Sequence, residues 1–224
     1  MFRKRLPAKN VIIYGLQRSG TNYLETMLQL NYPDIRIVNG IERHKPSHKH
    51  FRLYPEKNII PEPQFDNTLY TADFNQFAAQ LPVQPDIYII VSKDPYSWLI
   101  SYERWSKKNN WPPHQHHYSQ EYDLFYSMWM HYAGQTDKIL FVRYDDLLKQ
   151  PDAIIGNIGA MLQYPKLPAI AIPKKVYASR RFSKSKKDAH LSGASKRELP
   201  EADKQAVQQN IRPALMTYMG YQYL

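Results

Sequence analysis

Two glycines and two hydroxyl side chains stand where a short apolar run meets a helical pattern. Residues 11–14 are Val-Ile-Ile-Tyr, and Gly15, Ser19, Gly20 and Thr21 follow them. A turn between a buried strand and a helix directs backbone N–H groups and the positive helix end at one point, and glycine lets an anion approach closely. The two hydroxyl groups are further hydrogen-bond donors. The segment 11–30 therefore predicts a phosphate-binding loop.

The loop has the glycine spacing of a Walker A motif but lacks its reactive side chains. Thr21 stands where that motif has lysine, and Asn22 stands where it has the hydroxyl that binds Mg²⁺. The cation of this turn is Arg18, which comes earlier. A kinase uses the lysine and the hydroxyl on its phosphates and metal. The sequence favours an anion site without a metal anchor, with a degenerate P-loop kinase as the alternative.

A second anion-binding pattern follows the apolar run 87–91. Lys93 ends this predicted strand, Pro95 suits the first turn of a helix, and Ser101 lies two turns further along. A cation at the end of a strand and a hydroxyl on the next helix can hold one phosphate from two sides. Because the cation is lysine rather than arginine, the contact would be a point charge and not a bidentate fork.

The two patterns together resemble the sulfotransferase family that uses 3′-phosphoadenosine 5′-phosphosulfate. Residues 15–25 are similar to its 5′-phosphosulfate loop, with Arg18 where lysine is usual, and the Lys93–Ser101 spacing is similar to its 3′-phosphate motif. The resemblance implies a nucleotide sulfate donor as co-substrate and no metal. It implies these ligands for the donor: Gln17, Arg18, Ser19, Gly20, Thr21, Asn22, Lys93 and Ser101.

A third segment, residues 139–148, resembles the later Arg-Tyr-Glu-Asp-Leu strand and turn of the same family. It reads Ile-Leu-Phe-Val-Arg-Tyr-Asp-Asp-Leu-Leu, and we expect it to serve the structure rather than the chemistry. Arg143 is expected to form an ion pair with Asp145 or Asp146. Tyr144 is expected to pack under the phosphate-binding loop.

Sulfuryl transfer needs a cation near the bridging oxygen and a base for the proton of the acceptor. Arg18 is the candidate for the cation. Residues 49 and 50 are similar to the Lys-His pair of many sulfotransferases, where His50 would take the proton and Lys49 would assist the sulfuryl oxygens. Glu42 resembles the glutamate base of the glycan-sulfating branch. His50 ranks first and Glu42 second, and the choice stays open.

Most of the net positive charge falls in one late segment. Residues 174–197 contain nine Lys or Arg and one acid, Asp188, within a chain of net charge +10. Such a segment attracts polyanions, so a non-enzymatic polyanion-binding module is a further alternative. Sulfotransferases often have a loop here that closes over the nucleotide, which makes Arg180 and Arg181 candidate ligands of the sulfate donor.

Histidine-rich stretches raise the question of a metal site. The two clusters are His44, His48 and His50, and His114, His116 and His117. Either could chelate zinc, but no cysteine or carboxylate pattern completes a site. We therefore expect no metal.

The elements that must position these residues alternate between strand and helix. Apolar runs at 11–14, 35–38, 87–91 and 139–142 predict buried strands. Helical spacing predicts helices at 21–30, 73–81, 96–105, 121–132, 152–162 and 201–219. Loops are expected at 54–67, 107–118 and 173–197. This alternation predicts a three-layer α/β sandwich with a central, mainly parallel, P-loop NTPase-like sheet.

Composition narrows the class of protein. The 224 residues fit a single sulfotransferase domain over 1–224, and the absence of cysteine excludes disulfides and a thiolate nucleophile. No apolar run is long enough for a signal sequence or a membrane span, so we expect a cytoplasmic protein. The aromatic, histidine-rich stretch 105–118 favours a glycan or another hydroxyl compound as acceptor. Nucleic acid is not expected as a substrate.

Overall fold

A four-stranded parallel sheet forms the centre of the part of the chain that the structure describes. The computed structural model describes residues 7–42, 45–50, 73–110, 116–176, 180–181 and 183–224. The strands of the sheet are β1 (Lys9–Tyr14), β2 (Ile35–Ile37), β3 (Ile87–Ser92) and β4 (Ile139–Arg143), in the order β2-β1-β3-β4. All three neighbouring pairs are parallel, with Val11 opposite both Ile37 and Ile87.

Helices connect these strands and cover both faces of the sheet. They are α1 (Thr21–Asn31), α2 (Phe74–Ala79), α3 (Pro95–Lys108), α4 (Tyr118–Ala133), α5 (Tyr144–Lys149), α6 (Pro151–Met161), α7 (Lys184–Leu191), α8 (Ala194–Arg197), α9 (Glu201–Asn210) and α10 (Pro213–Met219). A two-stranded antiparallel ribbon, β5 (Lys175–Val176) with β6 (Arg180–Arg181), precedes α7.

Two separate cores lie on the two faces of the sheet. Successive strand residues face opposite sides, so Ile13 and Ile89 contact the core that α1, α5 and α6 cover. Tyr14 and Ile90 face the other core, which α2, α3, α4, α9 and α10 cover. Because both faces are covered, β3 is buried at every residue. The predicted three-layer α/β sandwich with a parallel sheet is confirmed.

Two predicted segments differ from the structure. Residues 201–219 were expected to form one helix, but α9 ends at Asn210 and α10 begins at Pro213. Proline lacks an N–H and disfavours a helical residue before it, and Arg212, the residue before Pro213, is accordingly extended. Residues 144–149, expected as a turn, form helix α5, since Leu147 and Leu148 are buried and two acids stabilise its first turn.

The loop prediction for 173–197 is wrong, because this segment contains β5, β6, α7 and α8. Charged residues dominate both α7 and α8, so the sequence has no apolar periodicity from which these helices could be predicted. In the 107–118 stretch, α3 continues to Lys108 and α4 begins at Tyr118. The predicted loop 54–67 lies entirely outside the described residues. Among the described residues, no helix has the length and apolar character required to cross a membrane.

Candidate active site

The phosphate-binding loop connects β1 to α1 and has two residues with a positive φ angle. Arg18 has φ 75° and Gly20 has φ 108°, and the turn closes through a hydrogen bond from the Ser19 N–H to the Leu16 carbonyl (3.0 Å). Helix α1 starts directly after it at Thr21. The first amides of a helix have no intrahelical acceptor, and the helix dipole makes this end positive. The loop therefore presents donors and positive potential to an anion.

The loop is packed from below by neighbouring strands. A Cβ atom on Gly20 would overlap the ring of Tyr144, and one on Gly15 would lie 2.6 Å from the carbonyl oxygen of Val91. Tyr144 is thus the floor of the loop, as predicted. The predicted Arg143–Asp146 pair is also present, with two hydrogen bonds of 2.6 and 3.0 Å. These contacts hold the loop against β3 and β4.

Lys93 and Ser101 lie together at the carboxyl end of β3. The Lys93 Nζ atom donates a hydrogen bond of 2.7 Å to Ser101 Oγ and lies 5.9 Å from the centre of the Tyr144 ring. Lys93 is buried. Burial, followed by the nearby positive charge of Arg18, lowers the pKa of Lys93 to about 8. Asp145 and Asp94 act in the opposite direction, but their negative charges do not offset the lost hydration and the charge of Arg18.

These groups meet at the switch point of the sheet. Neighbours β2 and β3 lie on opposite sides of β1, so the chain leaves β1 and β3 in opposite directions and a crevice opens at their carboxyl ends. The phosphate-binding loop follows β1 and Lys93 follows β3. Tyr144 contacts Gly20 and lies beside Lys93. The arrangement can hold a ligand with two anionic groups.

Comparison with solved structures identifies the fold. The sulfotransferase domain from the curacin biosynthetic pathway superposes with a TM-score of 0.55 at 16% identity, over 99% of this chain and 100% of that chain. The chain has the sulfotransferase fold. A sulfotransferase from Alicyclobacillus acidocaldarius superposes with a TM-score of 0.51 at 12% identity, over 97% of each chain. No protein-family model and no curated protein matches the sequence.

His50 lies against the phosphate-binding loop, in a segment fastened to the end of β1. The Gly15 N–H donates to the Lys49 carbonyl (3.3 Å), and the Tyr14 hydroxyl donates to the Pro46 carbonyl (2.8 Å). The Nδ1 atom of His50 is 2.8 Å from the Gly15 carbonyl oxygen. A carbonyl only accepts, so Nδ1 carries the proton and Nε2 has the lone pair in the neutral ring. That Nε2 atom is 3.5 Å from Thr21 Oγ1.

The other two candidates for proton transfer lie differently. Lys49 contacts α1, where its Nζ atom donates to Asn22 Oδ1 (3.1 Å) and forms an ion pair with Glu25. Glu42 is exposed on the turn after β2. His50 is therefore the candidate whose side chain contacts the Gly15 carbonyl and Thr21, whereas the Lys49 ammonium group is held by Asn22 and Glu25 of α1.

Three predicted ligands in the loop already have contacts inside the protein. The Ser19 side chain is fully buried, with its hydroxyl against Gly15. The Asn22 side chain accepts from Lys49, as described above. The Gln17 carbonyl accepts a hydrogen bond of 2.9 Å from Trp98 Nε1. In this conformation the loop would contact an anion mainly through Arg18 and the backbone amides of Gly20 and Thr21.

The late basic segment lies beside the same crevice. Lys196 in α8 forms an ion pair of 2.9 Å with Asp94, and His190 in α7 contacts Asp145 at 2.7 Å. Burial alone would raise the pKa of Asp145, but the hydrogen bond and charge of His190 lower it below its ordinary value. Arg180 and Arg181 form β6, and their side chains lie outside what the structure describes, so their role as ligands stays a prediction.

Four residues of this region were missed by sequence reasoning: Trp98, Trp105, His190 and Lys196. The two tryptophans had a usable signal, because they stand three residues before and four after Ser101 and so share its helix face. No signal in the sequence indicated the contacts of His190 and Lys196, since these depend on how the charged segment 174–197 packs against the rest of the protein. No metal-binding group of three or more ligands occurs among the described residues. His44 and His114 lie outside them.

Proposed function

We propose that this protein transfers a sulfuryl group from 3′-phosphoadenosine 5′-phosphosulfate to a hydroxyl group of an acceptor. One observation carries the proposal: Arg18 and the buried Lys93–Ser101 pair converge on one crevice at the switch point of a sulfotransferase fold. The 5′-phosphosulfate would lie on the loop beside Arg18. The 3′-phosphate would lie on Lys93 and Ser101, where its negative charge would add to those of Asp94 and Asp145 and favour the charged form of Lys93.

Each candidate residue has a defined part in the proposed reaction. The acceptor oxygen attacks sulfur in line, and the bond between sulfur and the bridging oxygen of the phosphate breaks. The bridging oxygen leaves with the electron pair, so negative charge grows on the phosphate, and the Arg18 guanidinium stabilises it. The acceptor proton passes to His50 Nε2. The products are the sulfated acceptor and adenosine 3′,5′-bisphosphate.

The side chains at the two Walker positions support sulfuryl rather than phosphoryl transfer. Thr21 faces His50 and Asn22 faces Lys49, so neither is arranged as the lysine or the metal-binding hydroxyl of a kinase. For the acceptor we propose a glycan, because the stretch 105–118 is aromatic and histidine-rich and sugar rings stack well on aromatic faces.

The proposal is tested with labelled sulfuryl donor and a panel of sugars, polysaccharides and simple alcohols. The protein is expected to transfer label to a panel member and to be stabilised by adenosine 3′,5′-bisphosphate but not by ATP with Mg²⁺. Arg18→Ala is expected to lower turnover about 10²- to 10³-fold, the usual effect of removing one charge-stabilising donor. The control is Arg36→Ala, which removes an exposed arginine of β2.

Two results would refute the proposal. One is neither transfer nor nucleotide-induced stabilisation in the unmodified protein. The other is full turnover in Arg18→Ala, which would remove the cation from the reaction.

A further inference from the structure

One face of α3 contacts every part of the candidate sulfuryl-donor site. Trp98, Ser101 and Trp105 are spaced three and four residues apart, so they form a single row along the helix. The indole N–H of Trp98 donates to the Gln17 carbonyl (2.9 Å), and Ser101 accepts from Lys93 (2.7 Å). The row thus touches the loop after β1 and the cation after β3.

Trp105, the last residue of the row, lies under the loop cation. The Cζ atom of Arg18 is 5.2 Å from the centre of the Trp105 ring, within the range of a cation–π interaction. Tryptophan has the strongest such attraction among aromatic side chains, and a planar guanidinium stacks on it in a way that an ammonium does not.

Arg18 needs such a support. It is exposed, and its backbone has a left-handed φ of 75°, an uncommon conformation for a residue with a side chain. A long exposed arginine has many rotamers, and transfer requires its guanidinium in one place. The ring restricts those rotamers from the side of α3.

We infer that Trp105 is a positioning residue that holds the Arg18 guanidinium toward the sulfuryl-donor crevice. The inference rests on the proposed function for its kinetic consequence, but the Arg18–Trp105 contact itself does not. Trp98 fixes the loop, Ser101 fixes Lys93, and Trp105 fixes Arg18. A single rigid helix thereby sets the separation between the cations for the two anionic groups of the nucleotide.

Two substitutions of Trp105 distinguish the effect of its aromatic ring from the effect of its volume. Trp105→Leu removes the aromatic face, and Trp105→Phe keeps one. In the leucine variant kcat is expected to fall about two- to fivefold, the effect of an exposed cation–π contact, with KM for the sulfuryl donor nearly unchanged. The phenylalanine variant is expected to recover at least half of the lost kcat. Arg104→Ala, an exposed neighbour on α3, is the control and is expected to leave kcat unchanged.

A second measurement does not depend on turnover. The Nε–Hε signal of Arg18 in a ¹H–¹⁵N spectrum, assigned by its loss in Arg18→Lys, is expected upfield because of the indole ring current. That displacement is expected to vanish in Trp105→Leu and to persist in part in Trp105→Phe.

The two measurements together decide the inference. A leucine variant that keeps both the Arg18 signal and kcat overturns it. A fall in kcat with an unmoved Arg18 signal also overturns it, since Trp105 would then act on the acceptor. If the unmodified protein transfers no sulfuryl group while the signal moves as expected, the proposed function fails and the positioning contact stands.

Discussion

Replacing Lys93 with methionine is expected to stabilise the protein at neutral pH and to abolish nucleotide binding. Lys93 is buried, and its pKa falls from 10.5 to about 8, mainly because of burial and then because of Arg18. One pKa unit between the unfolded and folded chain corresponds to about 1.4 kcal/mol, so burying this charge costs about 3 kcal/mol. Methionine fills a similar volume without charge. The loss of the hydrogen bond from Lys93 to Ser101 reduces the expected gain in stability by about 1 kcal/mol. A net gain of about 2 kcal/mol in the free energy of unfolding is expected near neutral pH.

The stability gained by Lys93→Met is expected to decrease as the pH rises. Because the pKa is lower in the folded state, the unfolded chain binds more protons between about pH 8 and pH 10.5. The stability of the unmodified protein therefore rises with pH across that window. The advantage of Lys93→Met is expected to be full below about pH 8 and to shrink to nothing, or reverse slightly, near pH 10.5.

Urea denaturation of both proteins across this pH range measures the difference. Lys107→Met is the control, because Lys107 is an exposed lysine of α3 and its loss is expected to change stability by less than about 0.5 kcal/mol. Adenosine 3′,5′-bisphosphate is expected to stabilise the unmodified protein but not Lys93→Met. Lys93→Met could instead be no more stable than the unmodified protein at neutral pH, or could keep its advantage at high pH. Either result would show that burying the charge of Lys93 does not destabilise the folded protein.

Two further predictions concern the base and the loop. His50→Ala is expected to lower turnover about 10²-fold or more, whereas Glu42→Ala is expected to keep near-normal turnover. Of these two residues, His50 is the one with a base atom beside the loop. Equal effects of the two substitutions in one acceptor assay would contradict this assignment. Gly20→Ala is expected to destabilise the protein by about 1–3 kcal/mol in thermal or urea unfolding, because the added methyl group would overlap the Tyr144 ring and the backbone φ of 108° strains a residue with a side chain. Gly156→Ala is the control: the space around Gly156 is open, so this substitution is not expected to destabilise the protein.

The parts of the site that could be predicted are those encoded by neighbouring residues. The phosphate-binding loop is continuous in sequence, and Lys93 and Ser101 are joined by one strand end and one helix, so local spacing sets their geometry. The centre of the sheet was also predictable, because β3 and residues 11–14 of β1 are buried on both faces and are almost entirely apolar.

The parts that could not be predicted depend on docking between distant segments. Helix α7 has little apolar surface, and His190 helps to hold it beside the crevice through contacts with Asp145 and the Tyr144 ring. A charge pair between residues 45 positions apart leaves no periodic pattern in either segment. The sequence ranked His50 above Glu42 but left the choice open, because the contact between His50 Nδ1 and the Gly15 carbonyl is visible only in the structure.

The parallel pairing of β1 has a consequence for how the protein acquires its site during synthesis. Val11 pairs with Ile87, and the floor of the loop is Tyr144, so the site can form only after these later segments have been synthesised. Pairing of distant segments is slow, since loop closure precedes the stabilising contacts. A nucleotide that bridges the ends of β1 and β3 would favour the paired state, so the proposed co-substrate would also assist folding of the chain.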